Sequence, residues 1–159
     1  MTIILKKFKK GDQVTHIDPN DPCFGIVYAV KSCKTKKFGN QNIEIMAFNG
    51  DGNSGYVNTH FYKLLNQNYY KFKLDTGYYA YQVYTLPLTW GNLCDHCNEQ
   101  LPSDFGKFYI PCMNHLVCYN CFDTWVEQSK YYDKEISSYE KENCDYFEKI
   151  YQKEKFNNE

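Results

Sequence analysis

The pattern C-x2-C-x14-C-x2-H-x2-C-x2-C, formed by Cys94, Cys97, Cys112, His115, Cys118 and Cys121, constrains this chain more than any other feature. Two thiolates spaced two residues apart can clasp one tetrahedral Zn2+ from a tight turn. Two such pairs complete the coordination shell and leave no open position for water. A C-x2-C pair also serves in redox centres, but there it stands singly ahead of a helix in a βαβ context. Two copies either side of a predicted hairpin do not fit that use. The start, Met1 to Leu5, runs straight into Lys6 and Lys7 and offers no cleavable apolar segment. The expectation is an intracellular, reducing compartment, cytoplasm or nucleus, where the eight cysteines are thiols or metal ligands rather than disulfides. No apolar run approaches the roughly twenty residues of a membrane span, so no membrane partner is expected.

The order of elements around the pattern narrows the ligand set. Phe105 to Ile110 reads as a hairpin between the two pairs, and Cys121 opens a predicted helix. A knuckle, a hairpin and a helix whose first turn holds the second pair is a treble-clef arrangement. It selects Cys94, Cys97, Cys118 and Cys121 as ligands of one zinc ion, with the helix N-terminus favouring negative thiolates. Cys112 and His115 then remain as a possible second half-site, which Cys144 and a carboxylate such as Asp145 could close. The favoured reading is simpler: His115 makes ordinary hydrogen bonds and Cys112 packs as a small apolar group.

The stretch from Leu93 to Leu101, with Cys94-Asp95-His96-Cys97, resembles the first knuckle of the RING fingers, and Ile110 to Cys121 resembles their centre. Trp125, four residues after Cys121, occupies the place of the Trp found in many members. Leu101, Phe108-Tyr109 and Pro111-Cys112 are also similar to RING variants of vacuolar-sorting proteins. The resemblance covers residues 93–125. It implies that the positions of Cys94, Cys97, Cys118 and Cys121 hold one zinc, and that those of Cys112 and His115 contribute to a second with two later ligands. Here Cys144 is the only later Cys or His, so the closing C-x2-C is missing. Family ubiquitin ligases engage a conjugating enzyme through a hydrophobic residue between the first two ligands, the Trp and a basic residue near the last pair. This chain has His96 at the first of these places and keeps Trp125, which becomes the candidate partner-binding residue.

Upstream, short β-type runs alternate with turn signals: 13–17, 24–30, 43–48 and 56–58, separated by 18–22, 36–40 and 49–53. Four or five strands in so short a segment bury their apolar faces by curling into a small barrel. Lys10 to Val14, Gly25-Ile26-Val27, Gly55-Tyr56-Val57 and Tyr62-Lys63-Leu64 resemble the layout of SH3-like small barrels. Cys23 and Cys33 lack a C-x2-C partner there and read as buried or half-buried thiols. Tyr69 to Leu74 and Tyr78 to Tyr84 flank Asp75-Thr76-Gly77, a hairpin signal. Its tyrosines could form a stacking surface or an aromatic cage, but sheet packing is the favoured role. From Phe122 to about Lys155 there is no Pro or Gly, and Phe122, Trp125, Val126, Tyr132, Ile136, Tyr139, Phe147 and Ile150 trace a helical stripe. The predicted organisation is α+β: an SH3-like barrel over 1–65, a hairpin or linker over 66–90, a RING-like treble-clef zinc module over 91–125 and a long amphipathic helix over 122–155.

Charge and composition bound the function. The 18 basic residues are all Lys, so the planar guanidinium fork that reads guanine edges is absent and sequence-specific DNA readout is disfavoured. Net charge is −1, yet residues 1–63 carry nine Lys against five acids while 122–159 carry six against ten. No phosphate-cradling glycine loop or serine nucleophile motif occurs. A treble-clef nuclease needs an acid beside its histidine, and Asn114 precedes His115. The leading expectation is a non-enzymatic protein-interaction or adaptor protein with one structural Zn2+ and a protein partner. The alternatives are a RING-type ubiquitin ligase acting by recruitment, and nucleic-acid binding through the basic N-terminal barrel.

Overall fold

The computed structural model describes residues 8–35, 41–47, 55–58, 61–65, 67–103, 106–131 and 138–156. The turn segments 36–40 and 49–53, together with Phe48, Phe105, Tyr132 and Ile136, lie outside the described residues. The chain is mixed α+β and divides into two compact units, Ile3–Gln67 and Asn68–Glu159.

In the first unit, β1 (Gln13–His16), β2 (Tyr28–Thr35), β3 (Gln41–Ala47), β4 (Gly55–Asn58) and β5 (Tyr62–Leu64) form one antiparallel sheet in the order β4-β3-β2-β1-β5. Val14, Val30, Tyr62 and Phe8 make its buried core, with Tyr28, Cys33 and Val57 packed against it. β2 begins later than its apolar run because the chain turns there: Phe24 N–H donates to Asp21 O, Ile26 N–H donates to Cys23 O, and Gly25 has φ of 80°. A bulge between Val30 and Ser32 interrupts the β2–β3 ladder. The expected closed barrel is not formed among the described residues. β5 is three residues long and pairs with β1 through Val14↔Leu64 to His16↔Tyr62, and no ladder joins it to β4. The sheet is therefore open, with β4 and β5 at its edges. Cys23 and Cys33 are half-buried free thiols, and Cys33 Sγ donates to Phe8 O at 3.2 Å.

The second unit is built on a four-stranded antiparallel sheet in chain order: β6 (Tyr69–Lys73), β7 (Tyr79–Val83), β8 (Lys107–Ile110) and β9 (His115–Cys118). Leu74 and Tyr78 close the first hairpin, and Gly77 takes φ of 95°, the left-handed conformation that glycine reaches without a Cβ penalty. The hairpin read as a separate segment over 66–90 is continuous with the metal-bearing part, since Tyr81 pairs with Tyr109 and Val83 with Lys107. Two of its tyrosines, Tyr78 and Tyr81, are buried in the core, and Tyr69, Tyr70, Tyr79 and Tyr84 are half-buried.

Where one amphipathic helix was expected over 122–155, two helices stand, α1 (Tyr119–Ser129) and α2 (Ser138–Phe156). α1 ends at a C-cap on Lys130, so the stripe does not run on along one helix. Each helix buries its own set at i, i+3 and i+7: Phe122, Trp125 and Ser129 on α1, and Cys144, Phe147 and Tyr151 on α2. Tyr139, assigned to the stripe, is 65% exposed. The helices cover opposite faces of the sheet. Phe108 stacks on Phe122 at 4.2 Å, while the next residue, Tyr109, stacks on Phe147 at 4.6 Å. Alternation along β8 forces that division, and it explains why all four β8 residues are buried. α2 is further tied down by polar contacts. Glu148 Oε1 accepts from Lys71 Nζ at 2.8 Å and Tyr81 OH at 2.6 Å, Glu140 accepts from Tyr79 N–H, and Tyr151 OH donates to Thr85 O.

Candidate metal centre

Three short elements bring four sulfurs together. The knuckle Cys94–Cys97 is shaped by Asn98, which has φ of 60° and donates its N–H to Cys94 O at 2.9 Å, while Cys94 N–H donates to Glu99 O at 2.8 Å. β9 delivers Cys118, which is also the N-cap of α1, and Cys121 lies in the first turn of that helix. The four Sγ atoms all lie within 4.8 Å of one another. Cys97 and Cys118 Sγ are 3.9 Å apart. A tetrahedron with metal–sulfur bonds of about 2.3 Å has edges of about 3.8 Å, so the cluster is already close to the size of a metal shell. Cys94 is buried, Cys118 and Cys121 are half-buried and Cys97 is exposed.

The electrostatics of the cluster favour negative sulfur at Cys94. Burial pushes its thiol up, but N–H groups of Cys97, Cys118 and His96 outweigh this and bring it down to about 7. Cys118 N–H lies 3.4 Å from that sulfur. Cys121 is held well above the ordinary thiol value by burial and by hydrogen bonding with its neighbouring thiols. Four sulfurs this close can share few negative charges without a cation among them. A divalent metal ion supplies that charge, displaces the thiol protons and leaves no ligand position for a substrate.

Residues that the cysteine pattern did not single out hold the knuckle in place. Asp95 N–H donates to Leu116 O at 2.9 Å and Asp95 Oδ2 accepts from Leu116 N–H at 2.7 Å, which docks the knuckle on β9. The buried Lys107 donates Nζ to Pro102 O at 3.0 Å and Ser103 O at 3.1 Å, fixing the loop after the knuckle to β8. No spacing rule marks either residue; a carboxylate between two ligands is the one signal that could have been read.

Cys112 and His115 stand outside the four-sulfur cluster, and among the described residues no other group of three or more metal-binding side chains is assembled. Cys112 is buried in the turn after β8, and burial pushes its thiol up to about 12, which suits a neutral packed side chain. Cys144 is buried on α2 with its thiol likewise raised by burial. Trp125 is not an open anchor: it is 5% exposed, with its ring 5.8 Å from Phe122 and 6.1 Å from Tyr78. Its Nε1 is buried without a hydrogen-bond partner. The ring also lines a cavity of about 50 Å³ shared with His96, His115 and Cys121.

Set against known protein families, curated proteins and solved structures, the chain matches none. Among the described residues no helix is long and apolar enough to cross a membrane.

Proposed function

We propose that this chain is a zinc-stabilised protein-interaction or adaptor protein, with one structural Zn2+ held by Cys94, Cys97, Cys118 and Cys121. The four-sulfur cluster carries the reading, because four thiolates fill a zinc shell and leave nothing for catalysis. The order of knuckle, hairpin and helix supports a treble-clef, RING-like module. The strand order β4-β3-β2-β1-β5 supports an SH3-like meander in the first unit. Thiolate ligation fits a reducing, intracellular setting. The test is affinity capture with the full chain. A partner retained by the zinc-loaded protein and lost on chelation is expected, and equal capture by both forms would reject a role for the metal in recognition.

One observation favours a second reading, recruitment of a ubiquitin-conjugating enzyme: His96 and Trp125 border the same small cavity beside Cys121. A reconstituted transfer reaction separates the two. Ubiquitin chains that disappear with Cys97→Ser support recruitment, and no transfer with any conjugating enzyme supports the adaptor.

A further inference from the structure

A cleft of about 550 Å³ opens beside the metal knuckle, between the 89–93 loop, the β8–β9 turn and α2. Two accessible aromatic rings, Trp90 and Tyr146, line it over the buried Tyr109. Trp90 lies 5.2 Å from Tyr109, and Tyr146 on α2 is 57% exposed. Tyr109 OH donates to Asn114 Oδ1 at 2.8 Å, and Asn114 holds φ of 52° at the turn, so a polar group is fixed at the edge of the cleft. Among the described residues that line it, Asp95 alone carries a formal charge, and that charge is negative. One Asp95 oxygen is held by Leu116 N–H at 2.7 Å, which keeps the carboxylate beside the rings.

We propose that this cleft binds an organic cation, a methylated or quaternary ammonium group, by cation–π contact with Trp90 and Tyr146 and by the charge of Asp95. Aromatic faces are negative, and methyl groups spread the cation's charge over a shell the rings can contact without stripping a tight hydration layer. An anionic ligand meets the like charge of Asp95 there. A neutral apolar ligand gains area but nothing from Asp95. The same chemistry can come from a free choline-like molecule or from a methylated lysine on a protein tail.

The Trp90 indole N–H resonance of the full zinc-loaded chain reads binding directly. It is titrated with choline chloride, with a short peptide carrying one trimethyl-lysine, and with 3,3-dimethylbutan-1-ol, the neutral isostere of choline. A saturable shift is expected with a cation at concentrations at least about fivefold below those needed for the alcohol. Whichever cation saturates first identifies the source. Tyr146→Ala removes an exposed ring and should weaken the cation several-fold, with zinc content and the Trp125 resonance unchanged. Asp95→Asn keeps an acceptor for Leu116 and should abolish the preference for charge; if that variant loses zinc, Tyr146→Ala decides. Equal response to choline, peptide and alcohol, no response to either cation, or cation affinity unchanged by Tyr146→Ala would overturn the proposal.

Discussion

Phe147 of α2 lies on Tyr109 of β8 with ring centroids 4.6 Å apart and planes 10° from parallel. Its immediate surroundings are aromatic too, with Tyr81 at 4.4 Å and Tyr69 and Tyr151 each at 5.2 Å. The pair fastens the last helix to the strand that leads into the metal centre. Phe147→Ala should therefore cost about 3–5 kcal/mol, the usual loss for a fully buried ring. Denaturant unfolding monitored on the second unit measures it. A loss below about 1 kcal/mol would show that α2 is not part of that core.

Trp125 makes a second stability prediction. Its ring is buried between Tyr78 and Phe122, so Trp125→Ala should cost about 3–5 kcal/mol and loosen the metal site one turn earlier on α1. Trp125→Phe should cost clearly less, because the buried Nε1 has no hydrogen-bond partner to lose. Unchanged melting of the alanine variant with loss of partner capture would instead assign the ring to an interface.

Glu148 gives a pH dependence with a definite sign. Burial raises its carboxyl, but hydrogen bonds from Lys71 and Tyr81 outweigh that and hold it below its ordinary value of 4.5. A carboxyl whose folded value is depressed contributes stability that is complete above 4.5 and is lost as the pH falls through the folded value. Wild type should be more stable than Glu148→Gln at neutral pH, and the gap should close on acidification. Zinc loss is common to both proteins and cancels in the difference. A gap that is constant with pH would contradict the assignment.

Cys97→Ser removes one thiolate from the cluster. Structural zinc supplies apparent binding energy of roughly 10–16 kcal/mol in small fingers. The variant should lose amide dispersion throughout 68–159, since the knuckle, sheet and α2 are packed as one unit, while Ile3–Gln67 keeps its signals. Nitrogen–proton NMR distinguishes this from a local effect. Surviving signals from Tyr69, Tyr81 and Phe147 would make the sheet independent of the metal.

Much of the metal centre was legible because ligand chemistry is written in spacing: Cys94 and Cys97 across a turn, Cys118 and Cys121 across a helix start. Runs near β1, β3 and β4 were legible between turn signals, and the Gly77 turn from the need for positive φ, but β2 lies at Tyr28–Thr35 and the hairpin read over 105–110 is the single strand β8 paired with β9. The docking of hairpin 69–83 on β8 was not, because partner strands are chosen by contacts far apart in sequence, such as Tyr81↔Tyr109. The break after Ser129 was equally hidden: no Pro or Gly marks it, and the apolar steps of the two helices merge in sequence into one stripe. Cys144 and Tyr151 are core residues of α2 that the apolar stripe did not include. Asp95 was passed over because its partner is the backbone of Leu116, which carries no side-chain signal.

Mass measurement of the full chain under native conditions tests the central claim most directly. The account predicts one Zn2+ per chain, lost on acidification or in Cys97→Ser and retained in Cys112→Ala and His115→Ala. A chain that carries no metal, or one that carries two ions of which one depends on Cys112 and His115, would contradict it.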